Sequence, residues 1–313
     1  MTLRRVLGAA AAGIGILTAS NRVLATRAGE LQPPLSGDRR TLRWRGMDVS
    51  YVEDGDPDDP DLLLLHGMSA AGSAGSYREV FSELARDYHV VAPDFPGFGL
   101  SDRPPLSYSA ALYEDFVADF IAEFDAPSVV ASGLTGAYVA TALREDTGAA
   151  VSGLVLVCPT TTAGPDRIGA LRDLLRLPLV GTALFNLLVS KPGIRYFNAD
   201  HGYYDVSKLT DEWVDYEWRS AHQPNARFAP ASLISGFLNS EEDLGAALAE
   251  LDVPTTLVWG READVTPLSD GRAIADEADA RLIVLDDTKL QPYVEFPEEF
   301  VETVRSELSR ATA

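Results

Sequence analysis

The stretch VVASGLTGAYVA, residues 129–140, decides how the rest of the chain is read. Its first half is a continuous apolar run, the pattern of a strand buried on both faces. Its second half is small and helix-compatible, and the two halves meet at Gly133 with no room for a loop. Outward from it the same alternation of strand and helix recurs. Upstream lie TLRWR and MDVSYVE around Gly46, which read as a hairpin, then LLLLHG (62–67), the helical spacing of YREVFSELARDY (77–88) and the strand that opens HVVAPDFPGFGLSDRP (89–104). Downstream lie SGLVLVC (152–158), TTLVWG (255–260) and RLIVLDD (281–287). Strands separated by helices predict an α/β fold, a mostly parallel eight-stranded sheet with helices on both faces.

The alternation breaks once, between residues 160 and 253. RIGALRDLLRLPLVGTALFNLLVS, LTDEWVDYEWRSAHQ and LGAALAELD are helical in spacing, and so long a loop without structure would be improbable. The expected organisation is therefore a core of residues 41–159 and 254–313 with a helical cap inserted at 160–253. The cap's aromatics (Tyr196, Phe197, Tyr203, Tyr204, Trp213, Trp218, Phe228) are expected to pack a small core of their own and partly to roof an apolar pocket. Residues 1–40 form a separate segment and linker.

That segment begins with Arg4 and Arg5 and an Ala/Gly-rich apolar run to about residue 19. It is like an export signal with a twin-arginine flavour, and shorter than the ~20 apolar residues of a spanning helix. Membrane association or export through this segment is the expectation; a helical arm on a cytoplasmic protein is the alternative. Over the whole chain, 26 basic against 47 acidic residues give a net charge of −21, with Lys191, Lys208 and Lys289 the only lysines. Such a Lys-poor acidic surface is similar to that of proteins from salt-loving organisms, and it repels phosphate backbones, so nucleic acid is excluded as a partner. The single cysteine, Cys158, reads as a buried filler. No histidine pair has metal-ligand spacing, no phosphate loop is present, and GFG at 97–99 is no dinucleotide fingerprint, so neither a metal nor a cofactor is expected.

LLLLHG, VVAPDFPGFGLSDRP, VVASGLTGAYVA, PTTLVWGREADVTP and LQPYVEFPEEFV, in that order, resemble the α/β-hydrolase superfamily from about residue 41 to the C-terminus. The closest likeness is to its capped esterases, epoxide hydrolases and haloalkane dehalogenases. The resemblance implies an α/β-hydrolase fold and a triad of nucleophile, acid and histidine. It places the nucleophile at Gly133, flanked by Ala131, Thr135 and Gly136; a shifted register would use Ser132 instead. The acid falls at Ala263, between Glu262 and Asp264. The histidine falls at Leu290, and the chain's last histidine is His222. His66 and Gly67 belong to the pocket-side turn after the third strand. Backbone amides of Leu134 and Met68 (or Ser69) would form the oxyanion hole, which needs no side chain.

Three positions that lost their chemistry point to a catalytically degenerate member binding a small apolar or carbonyl-bearing molecule under its cap. The alternative is a hydrolase of esters or similar substrates working through Ser132, with Glu262 or Asp264 and a cap histidine. A cofactor-free lyase or isomerase is a third reading.

Overall fold

The computed structural model describes residues 3–145 and 147–311, with side chains for 14–145 and 147–310. Eight strands, β1 (Asp38–Trp44), β2 (Met47–Asp54), β3 (Asp61–Leu65), β4 (His89–Pro93), β5 (Ser128–Ser132), β6 (Gly153–Val157), β7 (Thr255–Gly260) and β8 (Arg281–Leu285), form one sheet in the order β1-β2-β4-β3-β5-β6-β7-β8. β1 and β2 pair through a two-residue turn at Arg45 and Gly46, both at positive φ, as a tight hairpin requires. β2 runs antiparallel to β4, and every later pair is parallel. All of β5 and β6 and residues 62–65 of β3 are buried, which is why these strands are written as unbroken apolar runs.

After β4 the chain crosses back over β3 to lay down β5. The strand order therefore reverses between β3 and β5, and in open α/β sheets a crevice forms outside the carboxyl ends of strands at such a point. Gly67 and Gly133 follow those two ends.

Helix α1 (Leu3–Ala28) precedes the sheet, α2 (Phe81–Leu84) leads into β4, and α3 (Ala110–Ile121) and α4 (Leu134–Arg144) flank β5. Between β6 and β7 come α5 (Gly169–Arg176), α6 (Val180–Leu188), α7 (Lys191–Phe197), α8 (Asp211–Ala221), α9 (Phe228–Ile234) and α10 (Leu244–Ala249). The last of these packs against α4 and against α11 (Leu268–Ala278), beside the sheet. The chain closes with α12 (Pro292–Glu295) and α13 (Pro297–Ala311).

The cap aromatics do not form a core of their own. Tyr203, Trp213 and Phe228 are buried in the clusters flanking the sheet, whereas Tyr196, Phe197 and Tyr204 face solvent. One layer of short helices has an inner side only, and α7 buries just Ile194.

The N-terminal run begins the long helix α1, which packs on α6 and α8. Leu17, Asn21, Leu24 and Ala28 line its inner face at helical spacing. Asn21 Nδ2 donates to Leu179 O (3.1 Å) and Asn21 Oδ1 accepts from Asn186 Nδ2 (3.1 Å). Among the described residues no helix is long and apolar enough to cross a membrane. The Arg4–Arg5 pair lies outside the described side chains.

Candidate functional site

β5 runs straight into α4 through Gly133 alone, at φ 59° and ψ −130°, a conformation that only glycine adopts without strain. Its amide donates to Val157 O (3.0 Å), and its carbonyl accepts from Gly136 N (3.0 Å) and Thr160 N (3.3 Å). A Cβ on Gly136 would stand 2.8 Å from that of Pro159, so the helix can approach β6 only with glycine there. A Cβ on Gly133 would meet no atom within 4 Å. The apex of the elbow therefore faces open space, and it carries no side chain.

Ser132, one residue earlier, points the other way, as alternation along a strand dictates. It is buried, and its Oγ lies 3.4 Å from the Tyr293 hydroxyl. Burial pushes the Tyr293 phenol well up, so it is no base. Among the described residues no histidine hydrogen-bonds to Ser132. Both ring nitrogens of His66 are held by backbone, Nδ1 donating to Gly67 O (2.9 Å) in its own turn and Nε2 accepting from Phe95 N (3.1 Å) in the loop after β4. Burial pushes its pKa down, which suits this neutral, structural tautomer. His89 sits with Asp61, and His201 is beside Asp200. His222 donates from Nδ1 to Trp218 O (2.7 Å), leaving Nε2 buried without a partner, and burial lowers its pKa.

The residues that the family resemblance puts at the acid and histidine positions lie together in an apolar patch. Ala263 is buried with Cys158 and Trp259, and Leu290 packs against that cluster. Cys158 is the filler its setting promised, its thiol pushed up to about 12 by burial. The flanking acids have partners of their own. Glu262 accepts from Thr288 N (3.2 Å), tying down a neighbouring loop, and Asp264 is 78% exposed with Lys289 Nζ 3.4 Å away. The structure thus brings Ala263 and Leu290 together, and among the described residues no Ser132–acid–histidine set is assembled.

Backbone donors remain. Leu134 opens α4, where no intrahelical acceptor exists, and neither its amide nor that of Met68 has an acceptor among the described residues. Thr135 Oγ1 donates to His66 O (2.8 Å), clamping α4 to the turn after β3. A Cβ on Gly67 would lie 3.2 Å from Ser132 O, so the two loops touch.

Sequence reasoning missed some polar groups here. Asp94 is buried and accepts from Ala74 N (2.8 Å) and Leu100 N (2.7 Å), beside the half-buried Arg103, whose pKa is lowered by desolvation. Glu217 on α8 is buried, accepts from Asn198 Nδ2 (2.7 Å), and has its carboxyl pushed up to about 7 by that burial. Nearby, Arg78 lies 4.0 Å over the Trp213 ring and donates to the Tyr203 hydroxyl (3.2 Å). Helical spacing from Trp213 and Val214 is the signal that puts Glu217, unlike the exposed Asp211 and Glu212, on the buried face of α8. Among the described residues no cluster of His, Cys, Asp and Glu is placed to hold a metal ion.

The profile of the Alpha/beta hydrolase family matches residues 62–303. The 2-hydroxy-6-oxo-6-phenylhexa-2,4-dienoate hydrolase of Burkholderia cepacia is 26% identical over 240 residues, 71% of this chain and 78% of its own length. A serine hydrolase involved in carbazole degradation superposes with a TM-score of 0.69 at 21% identity, over 88% of this chain and 99% of that one. A membrane phospholipase A superposes with a TM-score of 0.67 at 23% identity, over 99% of this chain and 97% of that one. With its eight-stranded sheet, its strand–turn–helix elbow and a profile match over most of its length, this chain belongs to the α/β hydrolase family.

Proposed function

We propose that this chain binds a small apolar or carbonyl-bearing molecule at the elbow, under the cap, and does not hydrolyse it by a nucleophilic triad. The observation that carries the reading is Gly133: the apex has a sharp positive-φ turn, open space before it, and no side chain to attack with. Ala263 and Leu290 support it, because an apolar cluster occupies the places of acid and base. The Leu134 and Met68 amides supply donors for a carbonyl oxygen. The dienoate hydrolase named above supports a conjugated 6-oxo-dienoate as the first ligand to try. The acid-rich, lysine-poor composition supports a working environment of high salt.

The test is two measurements on the natural protein. Titration calorimetry with a 2-hydroxy-6-oxo-dienoate is expected to show binding with the ligand recovered intact. A fluorophosphonate probe is expected to leave no covalent label. Hydrolysis through Ser132, whose Oγ has a hydroxyl partner in Tyr293, is the competing reading. Labelling or turnover that disappears in Ser132→Ala would establish it and overturn ours.

A further inference from the structure

The cap carries a face whose composition is opposite to that of the rest of the molecule. Among the described residues, fifteen large hydrophobic side chains are exposed, and eleven of them lie on α1 or within residues 168–197. On α5, α6 and the corner between them these include Leu174, Leu177, Val180, Leu184 and Leu187, the last 72% exposed. The helices are contiguous: α5 packs on α6, α6 packs on α7 and α1, and the Asn21 hydrogen bonds join α1 to α6. Isolated exposed leucines are ordinary, whereas a run of them on adjoining helices marks a binding surface.

Charge shows what that surface meets. Residues 3–28 and 167–197 together hold nine basic residues and one acid, Asp173; Arg167, Lys191 and Arg195 pair with Glu241, Asp215 and Asp211 outside those stretches, and the remaining six basic residues still leave the face basic. The rest of the chain holds 17 basic and 46 acidic residues. Arg22 and Arg27 are exposed on α1. Apolar side chains interleaved with arginines, on helices too short or too polar to span, are the composition of an interfacial surface. A basic face attracts anionic headgroups at close range, while the acidic remainder is screened beyond about 10 Å at 0.1 M salt.

From this we infer that α1 and the outer face of α5–α7 lie in the plane of an anionic lipid bilayer, with the cap toward the lipid. The inference stands independently of what the elbow binds.

The experiment uses the full chain and sedimentation with vesicles of phosphatidylcholine, with and without phosphatidylglycerol. Binding to the phosphatidylglycerol vesicles is expected, more than about tenfold tighter than to phosphatidylcholine alone, and weakened by added salt. Leu177→Glu/Leu187→Glu is expected to abolish it with the fold intact by circular dichroism, since both positions face solvent. Arg22→Gln/Arg27→Gln is expected to reduce the preference for the anionic vesicles. No sedimentation of the natural chain with either vesicle overturns the inference, and so does undiminished binding by the leucine variant. A concentration-dependent dimer that the leucine variant loses, without vesicle binding, also overturns it and makes the face a contact between copies.

Discussion

At the apex of the elbow, φ 59° is relaxed for glycine and costs any other residue about 1–3 kcal/mol. Gly133→Ser is therefore expected to lower stability by that order and to add little turnover, because an unassisted hydroxyl is a weak nucleophile. Adding Leu290→His and Ala263→Asp should raise ester turnover more than additively, since base and orienting acid act as a unit. Initial rates of the single and triple variants on an activated ester check this; a triple variant no better than the sum of its parts counts against the assigned register. Glu217 offers a test by pH. Its folded carboxyl titrates near 7 against an ordinary 4.5, so the folded state keeps a proton the unfolded chain has lost. Its contribution to stability is greatest below about 4.5, falls as pH rises, and levels off above about 7. Glu217→Gln should remove that slope, seen as a difference in melting temperature from the natural chain that widens between about pH 5 and about pH 8.

Among the elements, the join between the last loop and the cap depends on one side chain. Glu295, at the end of α12, is buried and accepts four hydrogen bonds. Two come from Tyr204 N (2.9 Å) and Asp205 N (2.8 Å) in the cap. Two come from Thr288 Oγ1 (2.7 Å) and Lys289 N (3.1 Å) after β8. Lys289 reaches back across the same seam, donating to Asp200 O (2.7 Å). Glu295→Ala would orphan these donors and is expected to cost about 3 kcal/mol in urea unfolding. A loss below about 0.5 kcal/mol would show that water replaces the carboxylate. The hydrophobic pattern located both loops, and the tail motif located Glu295 itself. That its partners lie in the cap was not legible, because they are some ninety positions away in sequence.

For the molecule as a whole, a net charge of −21 sets a repulsion that packing must overcome. Exposed pairs such as Arg40–Glu53 and Arg86–Glu83 offset little of it. The melting temperature is expected to rise from low to molar salt as the Debye length shrinks from about 10 Å at 0.1 M to about 3 Å at 1 M. Thermal scans across that range check it; a flat response would mean that the carboxylates are spaced widely enough not to repel. The same measurement should leave the gap between the natural chain and Glu295→Ala nearly unchanged, since buried hydrogen bonds are little screened.

The sequence by itself determined the eight strands, the place of the elbow and the residues Gly133, Ala263 and Leu290 at the positions that the family resemblance gives to nucleophile, acid and histidine. Each depends on an element's own periodicity or on a residue's identity, and both are local. Only the tertiary structure decided that Ser132 faces Tyr293, 161 positions away. It also decided that Glu262 and Asp264 are met by Thr288 and Lys289, and that Leu290 packs against Ala263, Cys158 and Trp259. The physical reason is that periodicity tells which side of an element is buried, not what it is buried against. That depends on how β5, β7, the last loop and the cap pack together, a choice made by burial summed over the whole molecule.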